Sequence, residues 1–418
     1  MKFKRYLKYT LMTLFILIVL ICFQTNLSYA SSDTPNISAE AAILIDANSG
    51  AVLFNKNSEN KMYPASTTKI LTAIIAIEKC NLDDIVIVHN SAIKVIPSGY
   101  SSAYLSDGEE ISVSDLLKVF LIHSANEAGY VLAEHISGSI DEFSNLMNEK
   151  SNEIGCKNSH FLNPSGIHDD NHYSTAEDLA KIAQYCMKNS TFRSIVSMKS
   201  CTINKTNKSD IRTYKNTNDL LNPSSKYYVS ECVGVKTGYT SEAKNCLISA
   251  FKKNGLNLIS VVLGSPSLPS GESTRCIDSI NLYKYGYTNY SIEKIASKDD
   301  IIQTLEIPNA NNETKQLDLK LETDVSLIKN TKTPDDSFEI NIGNNISAPI
   351  KENEIIGTVT YTSCGVNRTA NLLASHNVEP KINMKQILIL LIIIIVIIVL
   401  TLTFIKKIKK HKKPRRKK

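Results

Sequence analysis

Tyr63-Pro64-Ala65-Ser66-Thr67-Thr68-Lys69 runs directly into Ile70-Leu71-Thr72-Ala73-Ile74-Ile75-Ala76-Ile77. The second half is an almost unbroken apolar stretch, the pattern of a buried helix, and the first half ends in a serine and a lysine three residues apart. On a helix that spacing puts both side chains on one face. A serine hydroxyl becomes a nucleophile only when a neighbouring base takes its proton. An amine serves as that base when it is neutral, a state favoured by burial and by a second cation nearby. Ser66 is therefore the candidate nucleophile and Lys69 its candidate base, at the start of a helix.

Two further peptides follow in order. Ser124-Ala125-Asn126 lies in Phe120-Leu121-Ile122-His123-Ser124-Ala125-Asn126-Glu127, ahead of a helix-like stretch. By itself it would be read as a helix cap. Beside an activated serine, Ser124 can relay a proton to a leaving amine and Asn126 can bind a substrate amide. Lys236-Thr237-Gly238 follows the strand-like Val233-Gly234-Val235. Its glycine lets backbone approach a substrate closely, while Lys236 and Thr237 offer donors to a carboxylate. Lys236 is also the second cation that would depress the basicity of Lys69. Each peptide is common alone; the ordered set S-x-x-K, S-x-N, K-T-G is specific.

The chain has 418 residues, room for two domains once targeting segments are set aside. Lys2, Lys4, Arg5 and Lys8 precede an apolar run from Leu11 to Phe23, and Ser28-Tyr29-Ala30 supplies small residues, so 1–30 reads as an export signal cleaved after Ala30. Cys22 follows Leu20-Ile21 rather than a small residue, which argues against lipid attachment there. Residues 387–405 carry no charge and are long enough for a transmembrane helix; the Lys- and Arg-rich 406–418 then reads as a cytoplasmic tail. Removing the ten tail cations and the four of the leader from the net charge of +6 leaves the exported part at about −8. The body is thus acidic. The cations beside the span are read as holding the anionic inner leaflet, and no nucleic-acid partner is expected.

Between these segments, 31–288 mixes strand and helix signals, an α/β (α+β) pattern. Asn48-Ser49-Gly50 and Asn254-Gly255 each sit between apolar runs, as hairpin turns do. Val113 to Ala133 and Ala176 to Met187 carry apolar residues at helical spacing. From 289 to 375 the pattern becomes alternation, with Leu317, Leu319, Leu321 and then Phe338, Ile340, Ile342 on one face, so a small all-β domain is expected there, with a linker over 376–386. Eight cysteines follow the leader, with no C-x-x-C pair. A domain of this size can bury a core without staples, so most read as small apolar residues, with pairing of some left open.

The three peptides form the active-site set of penicillin-recognising serine acyl-transferases, and the chain from about 37 to 370 resembles a low-molecular-mass penicillin-binding protein, a serine-type D-alanyl-D-alanine carboxypeptidase. Asn163-Pro164-Ser165-Gly166, Tyr173-Ser174-Thr175-Ala176-Glu177-Asp178-Leu179 and Val235-Lys236-Thr237-Gly238-Tyr239-Thr240 are similar to that family's runs. The resemblance implies a transpeptidase-like catalytic domain with an antiparallel sheet flanked by helices. It implies an acyl-enzyme on Ser66 and an oxyanion hole from the N–H groups of Ser66 and Tyr239. Peptidoglycan stem peptides would be the substrate, β-lactams covalent inhibitors, and no cofactor would be needed. Arg275 resembles a family arginine that helps hold the substrate's carboxylate, although the bare residues equally allow a surface arginine on the last helix. The family often has histidine where Ser165 stands, and it usually ends in an amphipathic helix lying on the membrane rather than a spanning one.

Other readings compete. His168-Asp169-Asp170-Asn171-His172 has metal-ligand residue types, but its polarity and its place between a turn and a helix read as a solvated loop, and no metal is expected. A Ser-His-Asp hydrolase is disfavoured because no G-x-S-x-G elbow occurs. A β-lactamase of the kind that deacylates with a glutamate in E-x-x-L-N would need that glutamate where Ser159 stands, ahead of Leu162-Asn163. A membrane-bound β-lactam sensor would need a cytoplasmic signalling or protease domain, which the short basic tail is not expected to hold.

Overall fold

A computed structural model describes residues 34–332, 336–381 and 384–411. The expected export signal and the end of the basic tail lie outside the described residues. The chain divides into two compact units, meeting in sequence at Ser291 and Ile292.

In the first unit the strands are β1 (Ala41–Asp46), β2 (Val52–Lys56), β3 (Ile85–Ile87), β4 (Glu110–Ser112), β5 (Ser200–Ile203), β6 (Arg212–Lys215), β7 (Cys232–Thr240), β8 (Lys244–Lys253) and β9 (Leu256–Ser265). Five of them form one antiparallel sheet in the order β2-β1-β9-β8-β7. The remaining four make two ribbons, β3 with β4 and β5 with β6. Asn254 and Gly255 turn the β8–β9 hairpin at φ of 50° and 82°, the left-handed pair a two-residue turn requires. Central strands β1 and β9 read as continuous apolar runs because both faces are covered. Ile43, Ile45, Ile259 and Val261 join the main core. Leu44 and Leu258 instead meet the helix Thr274–Asn289 at Gly286, where an added Cβ would come within 2.5 Å of Leu258.

The helix Lys69–Lys79 is buried from Lys69 through Ala76 and packs against the helices Asn126–Ser137, Ile140–Ile154 and Ala176–Lys188. Ile70, Leu71 and Ile74 are wholly enclosed, and truncating any of them to alanine would cost about 2–5 kcal/mol. Side chains cap several helix starts: Ser112, Ser139, Thr175 and Asn189 each accept the backbone N–H three residues on.

The stretch expected to run helically from Val113 to Ala133 is broken. Helix Val113–Lys118 passes into a wider π turn, Val119–His123; Ser124 adopts a left-handed φ of 68°, and a new helix starts at Asn126. The apolar pattern does not mark such a break, because Val119–Ile122 and Ser124–Ala133 are buried throughout rather than along one face.

In the second unit β10 (Tyr290–Ala296) pairs with β13 (Val325–Asn330). The strands β11 (Ile301–Glu306), β12 (Gln316–Leu321), β14 (Ser337–Ile342), β15 (Ile355–Ser363) and β16 (Val366–Ala374) form a sheet in the order β11-β12-β16-β15-β14. Leu317, Leu319 and Leu321 all point into its core, as their alternation predicts. Phe338 does not: it is 65% exposed, because β14 is an edge strand with little of the unit above it. The linker expected from 376 also begins later, since buried Val378 pairs with Ile350 and Pro380 bridges Ala310. A helix spans Met384–His411, of which Ile387–Ile408 is long and apolar enough to cross a membrane, with a mean hydropathy of 3.6.

Candidate active site

Ser66 lies in a single 3₁₀ turn, Ala65–Thr68, that leads straight into the helix Lys69–Lys79. Thr67 holds the turn, its Oγ1 donating to the Pro64 carbonyl at 2.6 Å, and Ala65 is held at a φ of 47°. A non-glycine residue in that region is strained, and the surrounding contacts maintain it.

Lys69 is fully buried, with Nζ placed 2.8 Å from Ser66 Oγ, 2.7 Å from Asn126 Oδ1 and 3.0 Å from the Ser165 carbonyl. The Asn126 amide is oriented by its other end, where Nδ2 donates to the Ser101 carbonyl at 2.9 Å. Asn126 Oδ1 and the Ser165 carbonyl can only accept. They take the two N–H bonds of a neutral amine and leave its lone pair for the Ser66 hydroxyl. Burial pushes Lys69 well below the usual lysine range; Lys236 pushes the same way and Glu127 opposes.

Lys236, Thr237 and Gly238 lie on the edge strand β7. Gly238 passes the nucleophile's turn so closely that a Cβ there would sit 3.2 Å from Ser66 N and 3.1 Å from the Pro64 carbonyl. Lys236 Nζ donates to the Thr237 carbonyl at 3.0 Å, and burial, with Arg275 nearby, brings it down to about 7. Arg275, on the helix Thr274–Asn289, donates from Nη1 to the Gly238 carbonyl at 3.3 Å. Arg275 is thus half-buried against β7. Ser66, Ser124, Asn126, Thr237, Gly238, Tyr239 and Arg275 line one cleft of about 450 Å³, a volume suited to a peptide end. Tyr239 is 57% exposed at its mouth. A larger cavity near Gln184 and Arg193 contains none of these groups.

Thr217 and the Ser98–Ser101 wall of the cleft carried no motif signal. Thr217 shares a hydrogen bond of 2.6 Å with Thr237, Oγ1 to Oγ1, and arrives from a loop remote in sequence. The wall of the cleft includes Ser98, Gly99, Tyr100 and Ser101. Ser165, where the family often has histidine, contributes its carbonyl to Lys69 while its Oγ donates to the Asn126 carbonyl at 2.9 Å. The run Tyr173–Asp178 is structural. Ser174 bridges Met62 just before the nucleophile's turn, and buried Asp178 accepts from Lys157 N, Asn158 N and Ser159 Oγ. Ser159 is thus committed away from the cleft.

The loop reading of His168 to His172 needs a correction. His172 is 2% exposed, accepts from Leu162 N at Nδ1, and stands 2.9 Å from Thr68 Oγ1 at Nε2. Burial brings it down to about 4, so it stays neutral and braces the turn behind Ser66. No group of three or more His, Cys, Asp or Glu stands together as a metal site among the described residues. Six of the eight cysteines are buried, as small apolar residues would be.

A family model described as D-alanyl-D-alanine carboxypeptidase matches residues 28–267, and one described as penicillin-binding protein 5, C-terminal domain, matches 290–380. The D-alanyl-D-alanine carboxypeptidase DacF of Bacillus subtilis is 32% identical over 396 residues, covering 91% of this chain and 95% of the relative. Penicillin binding protein 5 from Haemophilus influenzae superposes with a TM-score of 0.66 at 29% identity, over 83% of this chain and 99% of that one. The Streptomyces K15 DD-transpeptidase gives 0.56 at 33% identity, over 61% of this chain and 99% of that one. With the serine–lysine pair, the edge strand and the all-β second unit all in place, the chain belongs to the D-alanyl-D-alanine carboxypeptidase family of serine peptidases.

Proposed function

We propose that this serine D,D-carboxypeptidase removes the terminal D-alanine from peptidoglycan pentapeptide stems through a Ser66 acyl-enzyme. The observation that carries the reading is the placement of the buried Lys69 Nζ within hydrogen-bond distance of Ser66 Oγ and of two carbonyl oxygens, so that the neutral amine gives its N–H bonds to the carbonyls and its lone pair to the Ser66 proton. Ser66 Oγ attacks the carbonyl of the scissile amide as its proton passes to Lys69. The oxyanion is met by the N–H groups of Ser66 and Tyr239, which Gly238 allows to converge. Lys69 passes that proton to Ser124 as Ser124 hands its own to the departing amine and the C–N bond breaks. Water then adds to the ester while giving a proton to the freed Lys69 amine, which returns it to Ser66 as the acyl–oxygen bond breaks. Lys236, Thr237 and Arg275 hold the terminal carboxylate, and Asn126 stands beside the substrate's amide. A β-lactam enters the same path and stops at the ester, since Ser159 leaves no glutamate to drive its hydrolysis.

In this reading the helix Met384–His411 spans the membrane once, with both folded units outside and the basic residues inside. The all-β unit, lying between the catalytic unit and the span in chain order, acts as a spacer. The deciding assay incubates the full-length protein in detergent with a diacyl peptide ending in D-Ala-D-Ala and measures free D-alanine. Stoichiometric release dependent on Ser66 is expected, and no release would overturn the reading.

A further inference from the structure

Glu127 opens the helix Asn126–Ser137 and is 1% exposed. Its Oε1 accepts from Ser102 Oγ at 2.7 Å and from Ala103 N at 2.6 Å. Oε2 is buried with no hydrogen-bond partner among the described residues. The preceding Asn126 grips Ser101 twice, through its backbone N–H and through Nδ2, each 2.9 Å from the Ser101 carbonyl. Tyr214 adds a third hold, its hydroxyl donating to the Ala103 carbonyl at 2.9 Å. Ser101, Ser102 and Ala103 are thus pinned from beneath, and they anchor the segment from Ser98 that walls the cleft.

A neutral glutamine could accept the same two hydrogen bonds, so pinning alone does not call for a buried carboxylate. The charges around it do. The helix that Glu127 opens packs against the helix Lys69–Lys79, and the residue beside Glu127, Asn126, holds Lys69 Nζ at 2.7 Å; of the charges that act on Lys69, Lys236 lowers its basicity and Glu127 raises it. Tyr214 reaches the same segment at the Ala103 carbonyl, and Arg212, two residues before it, is engaged by Glu109 in an ion pair. His172, behind Thr68, is neutral. Glu127 is therefore the one carboxylate acting on the buried base among the described residues, and one of its oxygens is free to do so.

We propose that Glu127 is a positioning residue with two tasks: through Ser102 and Ala103 it anchors the Ser98–Ser101 wall of the cleft, and its unpaired oxygen sets the pH at which Lys69 is free to take the Ser66 proton. This rests on Lys69 being the base. Removing the negative charge makes the neutral amine easier to form, so a Glu127→Gln variant gains rate at low pH.

The test measures second-order acylation of the full-length protein in detergent by a fluorescent penicillin, from about pH 5 to 10. Glu127→Gln should move the rising limb down by half a pH unit or more, making it about threefold or more faster than wild type on the acid side. Glu127→Ala should also release the wall, raising KM for a diacyl-D-Ala-D-Ala peptide about fivefold or more. A purely structural role would lower the melting temperature and scale the rate equally at every pH. A limb that stays put or moves up in Glu127→Gln, with the variant folded by circular dichroism, overturns the proposal. Lys69→Ala is run alongside: if it acylates like wild type, the base assignment has failed rather than the role of Glu127.

Discussion

Gly166 stands so close to Ala65 that a Cβ at position 166 would come within 1.8 Å of the Ala65 carbonyl oxygen, at a φ of 74° that disfavours any side chain. The Asn163–Gly166 turn is thereby pressed onto the turn that carries Ser66. Gly166→Ala should destabilise the catalytic unit by on the order of 3 kcal/mol or more and slow penicillin acylation. Gly138 is the control, with a φ of 76° and nothing within 4 Å. Gly138→Ala should cost only about 1 kcal/mol. Equal melting temperatures for the two variants would show that the close approach is not rigid.

Ser66→Ala should abolish covalent labelling by fluorescent penicillin while leaving the thermal melt within a degree or two of wild type. Mass spectrometry of the wild-type adduct should place it on Ser66. An adduct on any other residue would displace Ser66 from its role.

Lys69→Ala should cut acylation by about 10³ or more, because nucleophile and base act as a unit. Lys236→Ala should mainly raise KM for carboxylate-bearing substrates. Lys69 must be neutral and Lys236 charged, so kcat/KM should rise with pH through an apparent value well below the lysine range. It should fall again above about 7, where the empty cleft's Lys236 loses its proton. The two values belong to the pair rather than to single residues. A bound carboxylate raises Lys236, so binding near pH 8 should take up a proton, visible by calorimetry in buffers of different ionisation enthalpy. A profile flat from about pH 6 to 10 would count against an amine base.

His172 ties acid sensitivity to the nucleophile's turn. Its folded value is about 4 against an ordinary 6.5, so below 6.5 the unfolded chain takes up a proton that the native state refuses. Stability contributed by the neutral ring is complete above about 6.5 and falls as pH drops toward 4, by at most about 3 kcal/mol. His172→Asn should flatten the melting temperature between pH 6.5 and 4 whatever its effect at pH 8. An unchanged slope would mean that another group governs acid unfolding.

Protease added to intact protoplasts should digest both folded units and spare an epitope fused after Lys418. The uncharged run is long enough to span and its positive flank favours the inside. Loss of the epitope under the same treatment would reverse the topology.

Much of the site was legible because its chemistry is local. Ser66 and Lys69 meet across one helical turn, and Lys236, Thr237 and Gly238 are consecutive on one strand, so spacing alone implied their company. The apolar span and the Leu317–Leu321 alternation were readable for the same reason, each being a property of a single element. Tertiary packing alone decided the rest. Thr217 reaches Thr237, His172 reaches Thr68 and Ser165 lends a carbonyl to Lys69 across separations no period encodes. The break at Ser124 was hidden because the residues on either side of it are buried throughout, and exposure of Phe338 because alternation does not say which strand lies at an edge. Above all, the sequence supplies a lysine, but only the fold buries it near Lys236 with Asn126 Oδ1 and the Ser165 carbonyl on its Nζ, the setting that the proposed base requires.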